Sequence, residues 1–65
     1  MKFKRGDLVA YTMYGVSIVG KVVGVKGSSV SFRTPERQVY GAEITELKRL
    51  PMALARDMAD IFAGV

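Results

Sequence analysis

The sequence predicts a mainly β fold, a small closed barrel of five strands followed by one short α-helix. Between Arg5 and Leu50, short valine-rich segments are separated by glycine, proline and other turn residues. Several of these segments alternate apolar and polar residues with the two-residue period of a strand. After Pro51 the apolar spacing becomes helical. We therefore expect a single domain, with the barrel at residues 1–50 and the helix at residues 51–65.

The first two strands are expected from Asp7 to Tyr11 and from about Val16 to Val25. The first leaves one apolar residue, Leu8, on the outward face. The second is long and contains Gly20 and Gly24. We interpret both glycines as bend or bulge positions, where a barrel strand turns a corner.

The third strand follows a tight turn at residues 26–28. By the two-residue period, its Val30 and Phe32 should face inward, and Ser31 and Arg33 should face outward. The chain then turns again at residues 35–37.

The fourth strand, Gln38 to Tyr40, should place Val39 inward and leave Gln38 and Tyr40 outward. A last short strand follows Gly41-Ala42 and a helical turn. That strand carries the apolar residues Ile44, Leu47 and Leu50.

The C-terminal helix is predicted from its start signal and its apolar periodicity. Pro51 suits the first turn, because it lacks an amide proton that would have no partner there. The apolar side chains fall on one continuous face, and they are Leu54, Met58, Ile61, Phe62 and Val65. So short a helix is marginal alone. Its face should pack on its own barrel or on a partner subunit.

Composition limits the possible functions. The 65 residues include no cysteine and no histidine, which excludes disulfides and zinc sites as stabilising elements. An enzyme would lack the commonest general base and the most reactive nucleophile. No glycine-rich phosphate loop or metal-binding pattern is present. We expect no catalytic residues, no metal and no cofactor. Because so small a domain is only marginally stable, homo-oligomerisation is expected.

The charge lies unevenly along the chain. Residues 1–50 carry nine Lys/Arg against four Asp/Glu, a net charge of +5, whereas residues 51–65 carry one against two, a net charge of −1. A basic barrel favours polyanionic partners such as nucleic acid, although solubility alone also explains the charge. The N-terminus does not resemble a signal peptide, and no apolar run is long enough to span a bilayer. We expect a cytoplasmic protein with no membrane partner.

The candidate binding surface is a basic and aromatic patch on the outward side of the central strands. Lysine and arginine would neutralise phosphates there, and a tyrosine could stack on a base. The residues expected to contact nucleic acid, either DNA or RNA, are Lys21, Lys26, Arg33, Arg37, Gln38 and Tyr40. An ordinary solvated strand face with a protein-binding role is the alternative interpretation.

The segments Gly6-Asp7-Leu8-Val9, Gly20-Lys21-Val22-Val23, Val30-Ser31-Phe32 and Glu46-Leu47-Lys48-Arg49-Leu50 resemble small SH3-like barrels. Tudor-like, KOW-like and many phage or plasmid modules belong to this class. The resemblance covers about 45 residues, and it implies binding more often than catalysis.

Narrower resemblances point to three families. The segment from Val22 to Gly27, with Val30, Pro35, Val39 and Glu43-Ile44, is similar to the carbon storage regulator family of dimeric RNA-binding proteins, although Gly41 stands where that family has its RNA-binding arginine. Gln38-Val39-Tyr40 resembles the type II dihydrofolate reductases, which are tetramers that bind NADPH and folate in a central pore. Length, charge and the C-terminal helix are similar to the crenarchaeal seven-kilodalton chromatin proteins, which bind duplex DNA.

The sequence thus favours a small non-enzymatic nucleic-acid-binding module that serves as an accessory or regulatory factor. The first alternative is a protein-interaction module that homo-oligomerises through Leu54, Met58, Ile61 and Phe62. The lesser alternative is an oligomeric enzyme similar to the type II reductases.

Overall fold

The structure, a computed structural model, describes residues 3–65 as five antiparallel strands in one sheet with one short C-terminal helix. The strands are β1 (Leu8–Met13), β2 (Val16–Lys26), β3 (Ser29–Arg33), β4 (Val39–Glu43) and β5 (Leu47–Arg49), and the helix is α1 (Met52–Met58). A single 3-10 turn, Ile44–Glu46, precedes β5. The strand order is β4-β3-β2-β1-β5. The mainly β fold, the five strands and the helical turn before the last strand are therefore confirmed.

Two-residue turns set the registers of the first two hairpins. Tyr14 and Gly15 join β1 to β2, and both have positive φ angles, 51° and 79°. Two successive positive φ angles are the signature of a turn that matches the twist of antiparallel strands. Gly27, with φ of 60°, begins the turn from β2 to β3. The turn expected at residues 26–28 is thus confirmed, whereas β1 extends two residues beyond its expected end.

The two glycines of β2 differ in their roles. A register shift against β3 falls between Val22 and Gly24, so a bulge lies beside Gly24 as expected. Gly20 instead pairs regularly with β1. A Cβ atom at Gly20 would overlap the Phe32 ring, so this glycine makes room for a core side chain, a role that its interpretation as a bend position did not include.

The core lies on one face of the sheet. Its buried residues are Phe3, Val9, Val22, Val30, Phe32 and Leu47. Five partly buried residues pack around them, namely Tyr11, Ile18, Tyr40, Ala42 and Ile44. The inward orientation expected for Val30 and Phe32 is confirmed, since both have no exposed surface.

The orientation expected for the fourth strand was wrong. Val39 is 52% exposed, whereas Tyr40 packs against the core with its ring 5.9 Å from that of Phe32. The cause is the register, which sets Tyr40 directly opposite Phe32, and opposed residues project from the same face. The strand also starts one residue later than expected and continues through Gly41 and Ala42 to Glu43.

The C-terminal segment is less helical than its periodicity predicts. The helix covers seven residues, and turns occupy much of the chain after Met58. The expected apolar face therefore divides: Phe62 is only 3% exposed, while Leu54 and Ile61 are 45% and 53% exposed. Phe62 does not belong to the core cluster. Within residues 3–65, no helix has the length and apolar character needed to cross a membrane.

Candidate nucleic-acid interface

A row of four outward side chains crosses the sheet from β1 to β4. Successive cross-strand partners link Leu8 to Lys21, Lys21 to Arg33, and Arg33 to Val39. Each alternates along its strand with a residue that packs in or against the core, so all four project from the opposite face. We call these four residues the outward row. It sets the side chains of Lys21 and Arg33 next to each other.

Two further rows lie between Arg33 and the turn that joins β2 to β3. One contains Gly24, Ser31 and Gly41, and the other contains Lys26, Ser29 and Glu43. Lys26 and Glu43 stand at the ends of the last row, and all the other residues of the two rows are serine or glycine. No bulky side chain therefore stands in the middle of these rows, and a shallow groove of about 250 Å³ lies there, bordered by Glu43 and Glu46. A polymer backbone could approach the serines and glycines closely.

Charge on this face is mostly positive. The outward charged residues of the strands are Lys21, Lys26, Arg33, Lys48 and Glu43. Lys48 is outward because it pairs with Ala10, which alternates with the buried Val9. Sequence reasoning did not include Lys48. The signal was available, since Lys48 directly follows Leu47, which was expected to be apolar core.

Arg49 is directed elsewhere. Its Nη2 lies 3.3 Å from Oδ2 of Asp7, and its guanidinium stands over the Phe3 ring, 5.3 Å from the centroid. These contacts join β5 to the segment that leads into β1. Arg49 therefore belongs to the structural support of the sheet rather than to the cationic face.

The C-terminal segment covers the β1 and β2 end of the outward row. Lys21 donates a hydrogen bond from Nζ to the carbonyl oxygen of Val65, at 3.1 Å. A groove of about 380 Å³ is shared by Leu8, Lys21, Ala55 and Phe62. Lys21 is half-buried there, so part of its donor capacity holds the C-terminal segment. Arg33 is the cation of this row that lies beyond the groove.

The remaining residues expected in the patch do not form one surface. Arg37 is exposed and occupies a left-handed conformation, with φ of 67°. The Tyr40 hydroxyl donates to Gln38 Oε1 at 2.8 Å, while its ring stacks on Phe32. The prediction that Tyr40 faces outward and stacks on a base is wrong, because this ring faces the core. The most exposed tyrosine is Tyr14, at 97%, in the turn between β1 and β2.

Compared with protein-family models, curated proteins and solved structures, the chain has no significant match. Within residues 3–65, no group of three acidic, histidine or cysteine side chains could hold a metal ion. The outward face carries cations and hydroxyl groups, which can bind anions and donate hydrogen bonds, together with the carboxylate of Glu43.

Proposed function

We propose that this protein is a small non-enzymatic module that binds the phosphate backbone of nucleic acid, built on an SH3-like barrel. The observation that carries the proposal is the Lys21 and Arg33 pair on the outward face. Lys26 lies on the same face, and the one row between it and this pair contains only Gly24, Ser31 and Gly41. Among the residues that the structure describes, two carboxylates, those of Glu43 and Glu46, border the groove beside the serines. The proposed compartment is the cytoplasm.

The strand order supports the barrel. Four strands follow one another as antiparallel neighbours, and the fifth returns beside β1 after a 3-10 turn, as in SH3-like barrels. The eleven-residue β2 pairs with both β1 and β3 and contains a bulge. Bulges increase the local bend and twist of a strand, which is what closure of so small a sheet requires.

Binding would depend on phosphate neutralisation and not on base stacking. Lys26 and Arg33 can each approach one phosphate, and the hydroxyl groups of Ser29 and Ser31 can donate to phosphate oxygens. With Tyr40 turned inward, this face offers no aromatic platform among the outward residues described. We therefore expect little sequence preference. About three phosphate contacts on duplex DNA would give a slope near −3 in a plot of log affinity against log salt concentration.

The decisive experiment is a fluorescence anisotropy titration at several salt concentrations. Labelled duplex DNA, single-stranded DNA and RNA of mixed sequence serve as probes. The variant K26Q/R33Q should lose affinity for all three probes and reduce the magnitude of the duplex slope by about two. R56Q, which removes one cation of α1 that lines the groove beside Lys21, is the comparison at the covered end and should change both quantities less. Undetectable binding at low salt, or affinity that does not change with salt, would contradict the proposal.

A second candidate function is protein interaction through the C-terminal segment, residues 52–65. Leu54 and Ile61 are exposed apolar side chains of the C-terminal segment, whereas Phe62 is buried within its own chain. I61D should abolish capture of a protein partner while leaving the thermal unfolding midpoint nearly unchanged. F62D should unfold the segment, because its side chain has no route to solvent.

A further inference from the structure

β4 is an edge strand, and the hydrogen bonds around it show which of its backbone groups face away from β3. Just before β4, the Thr34 N–H donates to the carbonyl oxygen of Gln38 at 2.9 Å. Just after β4, the Ile44 N–H donates to the carbonyl oxygen of Ser28, also at 2.9 Å. Hydrogen-bonded and non-hydrogen-bonded pairs alternate along an antiparallel ladder. Tyr40 and Ala42 are therefore bonded to β3, while the backbone groups of Val39, Gly41 and Glu43 point to the open edge.

The open edge is only two residues long. Glu43 N–H is occupied by a hydrogen bond to Oε1 of Glu46, at 3.0 Å. Val39 and Gly41 each direct one N–H and one C=O toward the open edge. Within residues 3–65, none of these four groups forms a hydrogen bond. Both residues are exposed. Unpaired edge groups of this kind are a template for another strand.

We infer that this edge pairs with the same edge of a second copy of the chain, in an antiparallel two-fold arrangement with Tyr40 opposite Tyr40. This register sets Val39 against Gly41 of the second copy and Gly41 against Val39 of the second copy. Each pair exchanges two backbone hydrogen bonds, so all four open groups of each chain are used. None of these bonds needs the N–H that Glu46 already occupies.

Charge complementarity selects a second copy over an unrelated peptide. The same register brings the turn that carries Arg37 near Glu43 of the second copy, and symmetry repeats this approach. Both residues are exposed, one beyond the start of β4 and the other at its end, so the positive end of one edge meets the negative end of the other. A self-complementary patch is what a two-fold interface requires. A shifted register would break the hydrogen bonds, the charge pairs or both.

Side chains also fit this arrangement. Val39 would lie over Gly41 of the second copy, where the absence of a Cβ leaves open space, and its 52% exposed surface would be covered. The two Tyr40 residues would form a non-hydrogen-bonded pair, in which side chains approach most closely. Because paired strands share their faces, the outward face of one copy would continue into that of the other. The dimer needs no nucleic acid, so it can be tested separately from the proposed function.

The primary test is sedimentation equilibrium of the full chain from about 10 µM to about 1 mM, a range that detects dissociation constants near micromolar to millimolar values. G41P removes one open N–H without touching the ladder to β3, and it should weaken the dimer at least about tenfold, which is the effect of 1.4 kcal/mol. G41A keeps the N–H and is the matched control. It should weaken the dimer much less than G41P, because a methyl group opposite Val39 is an ordinary cross-strand pair. Circular dichroism establishes that both variants fold.

Charge reversal provides a test that does not depend on proline. R37E and E43K should each weaken the dimer, and R37E/E43K should regain affinity relative to E43K because the pair is restored with opposite polarity. E43K also removes the hydrogen bond that Ser28 Oγ donates to Glu43, so circular dichroism must establish that both variants carrying it fold. R56E, a reversal on α1, should have no effect. In hydrogen exchange, the Val39 and Gly41 amides should become slower as protein concentration rises. A monomer at every concentration would overturn the inference, as would a dimer indifferent to G41P and to both reversals.

Discussion

The two ends of the outward row differ in what covers them. Leu8 and Val39 are both apolar, and both project away from the core. Leu8 shares a groove with Ala55 and Phe62 of the C-terminal segment, and it is half-buried. Val39 is 52% exposed on an edge strand. Leu8 is therefore covered by its own chain. By our inference, Val39 is covered by a second copy of the chain.

This difference separates the surfaces available for binding. At the covered end, the hydrogen bond from Lys21 to Val65 and the burial of Phe62 fix the C-terminal segment on the sheet. At the open end, Lys26 and the serines are exposed, and Arg33, half-buried like Lys21, lies outside the groove that the C-terminal segment shares with the sheet. Pairing through the β4 edge would use backbone groups in the plane of the sheet. The proposed dimer therefore leaves the cationic face free.

The largest effect is expected at the covered end. F62A should lower the free energy of unfolding by about 3 kcal/mol, because it removes a buried aromatic side chain and leaves a cavity. I61A is the matched control and should cost less than about 1 kcal/mol, since Ile61 is exposed. Urea denaturation followed by circular dichroism measures both. Equal losses in the free energy of unfolding for F62A and I61A would contradict the burial of Phe62 and the exposure of Ile61.

The core was predictable where strict alternation continued through a strand, as in Val30 and Phe32. The fourth strand was not, because its expected span, Gln38 to Tyr40, is too short for periodicity to decide between Val39 and Tyr40 as the inward residue. The register depends on Thr34, a buried residue whose Oγ1 accepts a hydrogen bond from Gln38 N–H at 3.2 Å. That contact crosses a turn, and no local pattern in the sequence indicates it.

The C-terminal segment and the binding patch show the same limitation. Apolar periodicity indicated a helix through residue 65, yet a short helix depends on tertiary packing. Phe62 is buried and shares a groove with β1 and β2, while Ile61 is 53% exposed. For the patch, alternation correctly grouped Lys21 with Arg33. It placed Tyr40 wrongly because one error in register reverses every side chain of a strand.

A second effect should follow from removing the side chain of Leu8. L8A should destabilise the fold by about 1 to 2 kcal/mol, less than for a fully buried leucine, because part of this side chain remains in contact with water. Thermal unfolding monitored by circular dichroism would detect this loss. If L8A leaves stability unchanged, the C-terminal segment does not cover that end of the row.

A smaller effect is expected for K21M, which keeps the aliphatic stem and removes the donor to the Val65 carbonyl. The loss in the free energy of unfolding should be about 0.5 to 1 kcal/mol, because water can replace a half-exposed hydrogen bond. Anisotropy titration should show a smaller loss of nucleic-acid affinity than for R33Q. The opposite ranking would mean that Lys21 is the main phosphate ligand and that the covered end is accessible.

The smallest effect on stability is expected at the open end. V39T preserves the shape and the branched Cβ favoured in strands, and the free energy of unfolding should change by less than about 0.5 kcal/mol at concentrations where the protein is monomeric. At higher concentration the same substitution should weaken self-association, since the added hydroxyl would be desolvated over Gly41 of the second copy. Denaturation at two protein concentrations separates these effects. A loss as large as that of L8A in the monomer would show that Val39 is covered within its own chain, and the two ends of the row would then be alike.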